Sequence, residues 1–254
     1  METVVLSFSG NVAVLELNRP DSLNAMDVQM LNELVEALRQ VERSDAQLLL
    51  IRGRGRGFSA GGDIKTMLRV EDEEAFHDVM NTIQQLITTL YELPKIVVAA
   101  IHGPAAGLGL SFALASDYVI ATKDARLAMN FIGIGLVPDG GGHFFLAKRV
   151  GEVKAKHLIW EGKTMSAMEA YDLGIVDFIV ENEEQIKQKL AEWQAKPLQA
   201  MIATKTLYAK TTKDELLHVL QLETDAQQKM RKTKDHREGV QAFLEKRKPN
   251  FIGK

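Results

Sequence analysis

The sequence predicts an α/β fold, with a mainly parallel sheet and helical crossovers, followed by a last third that is almost all helix. Two short continuous apolar runs, 48-LLLIRG-53 and 95-KIVVAAIHG-103, read as strands buried on both faces. Strand-like and helix-like patterns alternate around them, which argues right-handed crossovers within one parallel sheet. From about residue 143 the spacing is helical, with one short apolar strand at 175-IVDFIV-180.

The elements follow in order. Two β-rich runs, 3-TVVLSF-8 and 12-VAVLELN-18, open the chain, and the Ser-Gly-Asn between them reads as a hairpin turn. A loop, 19-RPDSLNAMD-27, leads into an amphipathic helix over 27–43, with Val28, Leu31, Leu34, Val35 and Leu38 on one face. The strand at 48–53 empties into a Gly/Arg-rich loop, 53-GRGRGFSAGGD-63. A helix is expected over roughly 73–91. After the second buried strand, 104-PAAGLGLSFALASD-117 is a Gly/Ala-rich loop running into a tightly packed helix, then a third strand, 117-DYVIAT-122. Helical patterns at 184–193, 197–210 and 213–246 end the chain. The organisation expected is a core over 1–194 and a helical oligomerisation region over 195–254.

Composition narrows the classes. The 254 residues are 46% hydrophobic and 26% charged, ordinary for a globular protein. A net charge of −3 gives no basic field for nucleic acid, so nucleic acid is not an expected partner. Without cysteine there are no disulfides, thiolate metal sites or cysteine nucleophiles, which fits the cytoplasm as the expected compartment. The N-terminus lacks a basic region before an apolar run, so no signal peptide is expected. No apolar run approaches the roughly 20 residues of a membrane helix.

Motifs for several chemistries are missing. Neither G-x-G-x-x-G after a strand nor a Walker A string occurs. The six histidines, His77, His102, His143, His157, His218 and His236, show no zinc-helix spacing, and no metal site is expected. No G-x-S-x-G elbow is present. Two glycine loops stand out instead, 60-AGGD-63 and 107-GLG-109, each after a buried strand and before a helix. Strand C-termini are where parallel sheets bind ligands, and backbone amides from two such loops could form an oxyanion hole. Close helix–strand packing is the competing reading of the same glycines. Arg52, Arg54 and Arg56 read either as a solvated loop or as a phosphate-binding fork. Asp139, in 136-LVPDGGGHF-144, reads as a turn former and helix cap, or as a base.

Six elements in order then resemble the enoyl-CoA hydratase/isomerase (crotonase) family. They are 18-NRPDSLNAMD-27, 58-FSAGGDIK-65, 95-KIVVAAIHGPAAGLGLSFALASD-117, 133-GIGLVPDGGG-142, 166-SAMEAYDLGIVD-177 and 238-EGVQAFLEKRKPNF-251. The resemblance implies a ββα spiral, a helical trimerisation region, trimers or dimers of trimers, and an acyl-CoA thioester as substrate with no further cofactor. It implies an oxyanion hole at the amides of Gly62 and Leu108. It also implies CoA contacts from Ala60, Asp63, Ile64 and Lys65, and from a C-terminal pair, Phe243 and Lys246, often supplied by a neighbouring subunit.

The chain departs from the hydratase pattern at both catalytic glutamates. Their matched positions hold Ser111 and Phe131. Hydration needs one group to activate water and another to protonate the α-carbon, and these residues do neither at neutral pH. The lone acid of 136-LVPDGGG-142 resembles that of the isomerase branches. There a single carboxyl takes the α-proton and returns it at the γ-carbon, which makes Asp139 the candidate acid/base. Apolar neighbours Phe131, Leu136, Phe144 and Phe145 are expected to raise its pKa. Two alternatives remain: an atypical hydratase holding water with Ser111 and Asp139, and a non-catalytic acyl-CoA- or RNA-binding relative using Arg52–Arg56.

Overall fold

Val4–Ser9 (β1) and Val12–Leu17 (β2) pair antiparallel about a tight turn at Gly10, whose φ of 58° suits a residue without a Cβ. This computed structural model describes residues 1–64 and 72–254. Beside the hairpin lie Leu48–Gly53 (β3), Ile96–Ile101 (β4), Tyr118–Thr122 (β6) and Phe178–Val180 (β9), in the order β1-β2-β3-β4-β6-β9. Every pairing after the hairpin is parallel. A second, three-stranded sheet joins Pro104–Ala106 (β5), Arg126–Ala128 (β7) and Met165–Ser166 (β8) in the order β5-β7-β8.

The continuous apolar runs are explained by burial on both faces. Leu49 and Ile51 of β3 and Val97, Ala99 and Ile101 of β4 enter the main core. Their alternates Leu48, Leu50, Ile96, Val98 and Ala100 enter a second cluster with Leu190, Trp193 and Leu198. The main core is closed by the helices Val28–Arg43 (α1) and Glu73–Glu92 (α2), with Leu108–Leu114 (α3). Asp27 caps α1 by accepting from the Met30 amide at 2.9 Å.

Gly142–Val150 (α4), Glu152–Glu161 (α5), Ala167–Asp172 (α6) and Glu183–Gln194 (α7) follow. Two helical patterns at the C-terminus merge. Leu198–Met230 (α8) runs unbroken, and the break comes at 231–233, where Thr233 caps Lys234–Leu244 (α9). The strand expected at 175–180 shrinks to Phe178–Val180, because the Ile175 and Val176 amides bond back to Ala170 O. Leu216 and Leu220 bring α8 into the main core.

Candidate active site

The two glycine loops run side by side. Ser59 N donates to Pro104 O, and Ala106 N donates back to Ser59 O at 2.9 Å. The first loop is also stitched to the segment before α1: Ala60 N donates to Leu23 O, Met26 N to Gly61 O and Asp63 N to Met26 O. Arg19 clamps the same junction, reaching Asp27 and Asp63 at 3.1 Å each. Gly61 has φ 96°, and a Cβ there would lie 2.7 Å from Ala106 O, so the loops approach this closely only with glycine. Gly62 and Leu108 border the same space, and neither amide donates a hydrogen bond among the described residues. Leu108 is the first residue of α3, where an amide has no partner within the helix.

Two cavities meet at this point. One, about 180 Å³, is lined by the glycine loops together with Asn130, Phe131, Leu136, Asp139 and Phe243. The other is smaller and apolar, walled by Met26, Leu31, Phe76, Met80 and Ile83, with Asp139 and Arg231 as its charged members. Asp139, Gly62 and Leu108 belong to both. Asp139 is therefore the one carboxyl among the described residues lining either cavity.

Asp139 is 3% exposed, and burial, then the nearby Glu223 carboxylate, pushes its pKa up to about 8. One oxygen, Oδ1, has no hydrogen-bond partner among the described residues; the other lies 3.4 Å from Gln227 Nε2. The turn is present, since Gly142 N donates to Asp139 O at 3.1 Å. The Asp139 side chain does not cap α4, however. That helix starts after Gly141, and Glu223 of α8 accepts from the Gly141 and His143 amides at 2.8 and 3.0 Å. Glu223 also accepts from His143 Nδ1 at 2.7 Å. Glu223 and Gln227 escaped the sequence reading. The signal was present: Leu216, Leu220, Glu223 and Gln227 keep one helical face, so the apolar stripe turns polar without losing its period.

Comparison with known proteins fits this arrangement. The family profile described as Enoyl-CoA hydratase/isomerase matches residues 7–254. The chain belongs to the enoyl-CoA hydratase/isomerase family. It is 52% identical to YhaR of Bacillus subtilis over 99% of both chains. It is 36% identical to the 1,2-epoxyphenylacetyl-CoA isomerase of Escherichia coli K12 over the full length of both. The crystal structure of an enoyl-CoA hydratase from Mycobacterium avium subsp. paratuberculosis superposes with a TM-score of 0.89, at 32% identity and 98% coverage of each chain. The mixed sheet with its helical C-terminal region is thus the crotonase fold, and the chain is an enzyme of this acyl-CoA family.

The other family positions fall unequally about the cavities. Ala60, Ile64 and Phe243 line the larger one, and Lys65 lies outside the described residues. Asp63 is engaged by Arg19. Phe243 reaches the cavity of its own chain, because α9 packs on Phe131–Ile134: His236 Nδ1 bonds Ile134 O at 2.7 Å, and Gly239 leaves no room for a Cβ there. Lys246 is exposed just past α9, with φ 55°. Phe131 lies against Gly107 and faces the cavity. Ser111 lines neither cavity; it is fully buried, with its hydroxyl 3.5 Å from Gly107 O and 3.8 Å from Met129 Sδ.

The remaining predicted neighbours are placed as follows. Phe131 and Leu136 line the larger cavity with Asp139, while Phe144 and Phe145 pack edge-to-face on each other and beside Tyr91, with the Phe145 ring against Gly141. Arg52 and Arg54 both pair with Glu16, and Arg52 also with Glu183, at 2.8–3.0 Å. No group of side chains suited to a metal occurs among the described residues. None of their helices is long and apolar enough to cross a membrane.

Proposed function

We propose that this enzyme isomerises an enoyl-CoA thioester, with Asp139 as the single acid/base. The observation that carries this reading is an underpaired carboxyl, the one among the described residues, at the junction of the two cavities. The ionised carboxylate takes the α-proton. The C–H electrons pass into a dienolate, whose oxygen accepts hydrogen bonds from the Gly62 and Leu108 amides. The carboxyl then returns its proton at the γ-carbon, and the double bond has moved by one position. The apolar wall of Phe131 keeps water from competing. Ala60, Asp63, Ile64, Phe243 and Lys246 are proposed to border the CoA portion.

A homotrimer, or a pair of trimers, completes the proposal, with the cytoplasm as its compartment. Its support is exposed apolar surface: Val153 and Trp160 on α5, Leu207, Tyr208 and Leu222 on α8. Hydration with water held by Ser111 is disfavoured by that side chain's position away from both cavities.

The test is an isomerase assay on 3-enoyl-CoA esters of several chain lengths. Asp139→Asn is expected to lose about a hundredfold or more in kcat, the usual worth of general acid/base catalysis. Undiminished turnover in that variant would sink the single-base mechanism.

A further inference from the structure

We infer that Glu223 and Gln227, one turn apart on α8, are positioning residues for Asp139. Glu223 fixes the backbone of the turn and sets a second carboxylate beside Asp139, while Gln227 aims one carboxyl oxygen and leaves the other for substrate. The inference rests on the single-base reading for its kinetic consequences, but not for its effect on the proton of Asp139.

The geometry separates the two roles. Glu223 is 3% exposed and accepts from three donors, Gly141 N, His143 N and His143 Nδ1. Gly141 has no side chain with which to cap α4, so α8 supplies the acceptor across 82 residues of sequence. The Glu223 carboxylate so held lies close enough to Asp139 that like-charge repulsion disfavours ionisation of Asp139. Gln227 is fully buried. Its Nε2 donates to Val137 O at 2.6 Å and approaches Asp139 Oδ2 at 3.4 Å. Val137 and Asp139 flank Pro138, so one amide group grips both sides of the turn.

Two buried oxygens here, Asp139 Oδ1 and Gln227 Oε1, have no hydrogen-bond partner among the described residues. A fold selected for stability alone would satisfy them, because each unmet buried acceptor is costly. Among the described residues, the other titratable groups near the carboxyl are Arg231, four residues beyond Gln227 and lining the apolar cavity, and His143, which is bound to Glu223. The Arg231 guanidinium lies over the Phe76 ring, its centre 4.4 Å from the ring centroid.

The experiment compares wild type, Glu223→Gln and Gln227→Met, each first checked for a cooperative melt. The carboxylic C=O infrared band that disappears in Asp139→Asn reports the Asp139 proton directly. Its titration midpoint is expected to move down by about one pH unit in Glu223→Gln, and up in Gln227→Met, which loses a donor to the carboxylate. The acid limb of kcat/KM on a 3-enoyl-CoA ester moves the same way. Gln227→Met also lowers kcat by about tenfold with little change in KM, as lost alignment predicts. A merely structural role changes the melting temperature and moves neither midpoint nor limb. That result in the folded variants overturns the inference. If Glu223→Gln does not fold, Gln227→Met decides alone. If Asp139→Asn keeps full turnover while the band midpoints move as stated, the isomerase mechanism fails and the positioning role stands.

Discussion

Two glycine-rich, charged loops of this molecule treat their charges in opposite ways. At the exit of β3, Arg52 and Arg54 meet Glu16 and Glu183 near the surface, and the Arg52 guanidinium holds the Glu183 carboxyl below its usual range. At the entry to α4, Asp139 is buried with one oxygen unmet and its proton affinity raised. The first loop has more charge, and in the sequence its arginines read either as a solvated loop or as a phosphate-binding fork. The second has one carboxyl, whose Oδ1 meets no hydrogen-bond donor among the described residues. A charge that is fully paired has little left to give a ligand, whereas an unmet buried one stores its interaction for the substrate.

That contrast can be broken most sharply at the proposed oxyanion donors. Proline is tolerated at the first position of a helix, so Leu108→Pro removes one amide hydrogen from the site while α3 persists. A loss of about 100- to 1,000-fold in kcat is expected, against less than about tenfold for Leu108→Ala, which keeps the amide. Equal losses in the two variants would mean that the side chain matters and the donor does not.

The pH profile tests the Asp139 end of the comparison. A base with a pKa of about 8 is mostly protonated at neutral pH. The kcat/KM of the wild type should therefore climb about tenfold per pH unit well below 8 and level off above it. A profile flat from pH 6 to 9 would place the working proton elsewhere.

How much of this was legible follows from the range of each interaction. The buried strands, α1 and the two glycine loops were readable because apolar period and turn chemistry are local. So was Asp139, as a carboxyl set among Pro138 and Gly140–Gly142. Strands β5, β7 and β8, of two or three residues, are too short to carry a period. The partners of Asp139 were hidden for another reason. Gln227 meets it across 88 residues, and polar residues on a long helix read as a solvated face unless their register with Leu216 and Leu220 is followed. The region assigned to oligomerisation thus carries the side chains that grip the turn.

Stability gives the next smaller effect. The Asp139 pKa is raised, so its contribution is fully present below the unfolded value of 3.8 and is lost as pH rises through about 8. Between these limits the folded state keeps a proton that the unfolded state releases, and stability falls with rising pH. Asparagine cannot ionise. Asp139→Asn should therefore melt higher than wild type, by a margin that grows from pH 4 to 8 and then stays constant. Each kcal/mol is worth about 2–4 °C for a chain of this size. A margin independent of pH would mean that Asp139 ionises in the folded state as it does in the unfolded chain.

The smallest effect belongs to the paired loop. Arg54 is exposed and shares Glu16 with Arg52, so removing it leaves that carboxylate with a partner. Arg54→Ala is expected to change stability by less than about 1 kcal/mol, as surface pairs do, and to leave kcat untouched. Its effect on KM separates two uses of the loop. If the guanidinium exchanges Glu16 for a CoA phosphate, KM rises and the rise weakens with added salt, as screened charge requires. If the pair with Glu16 is purely structural, KM stays constant at every ionic strength. Charge alone then distinguishes nothing between the two loops, and only the satisfaction of that charge does.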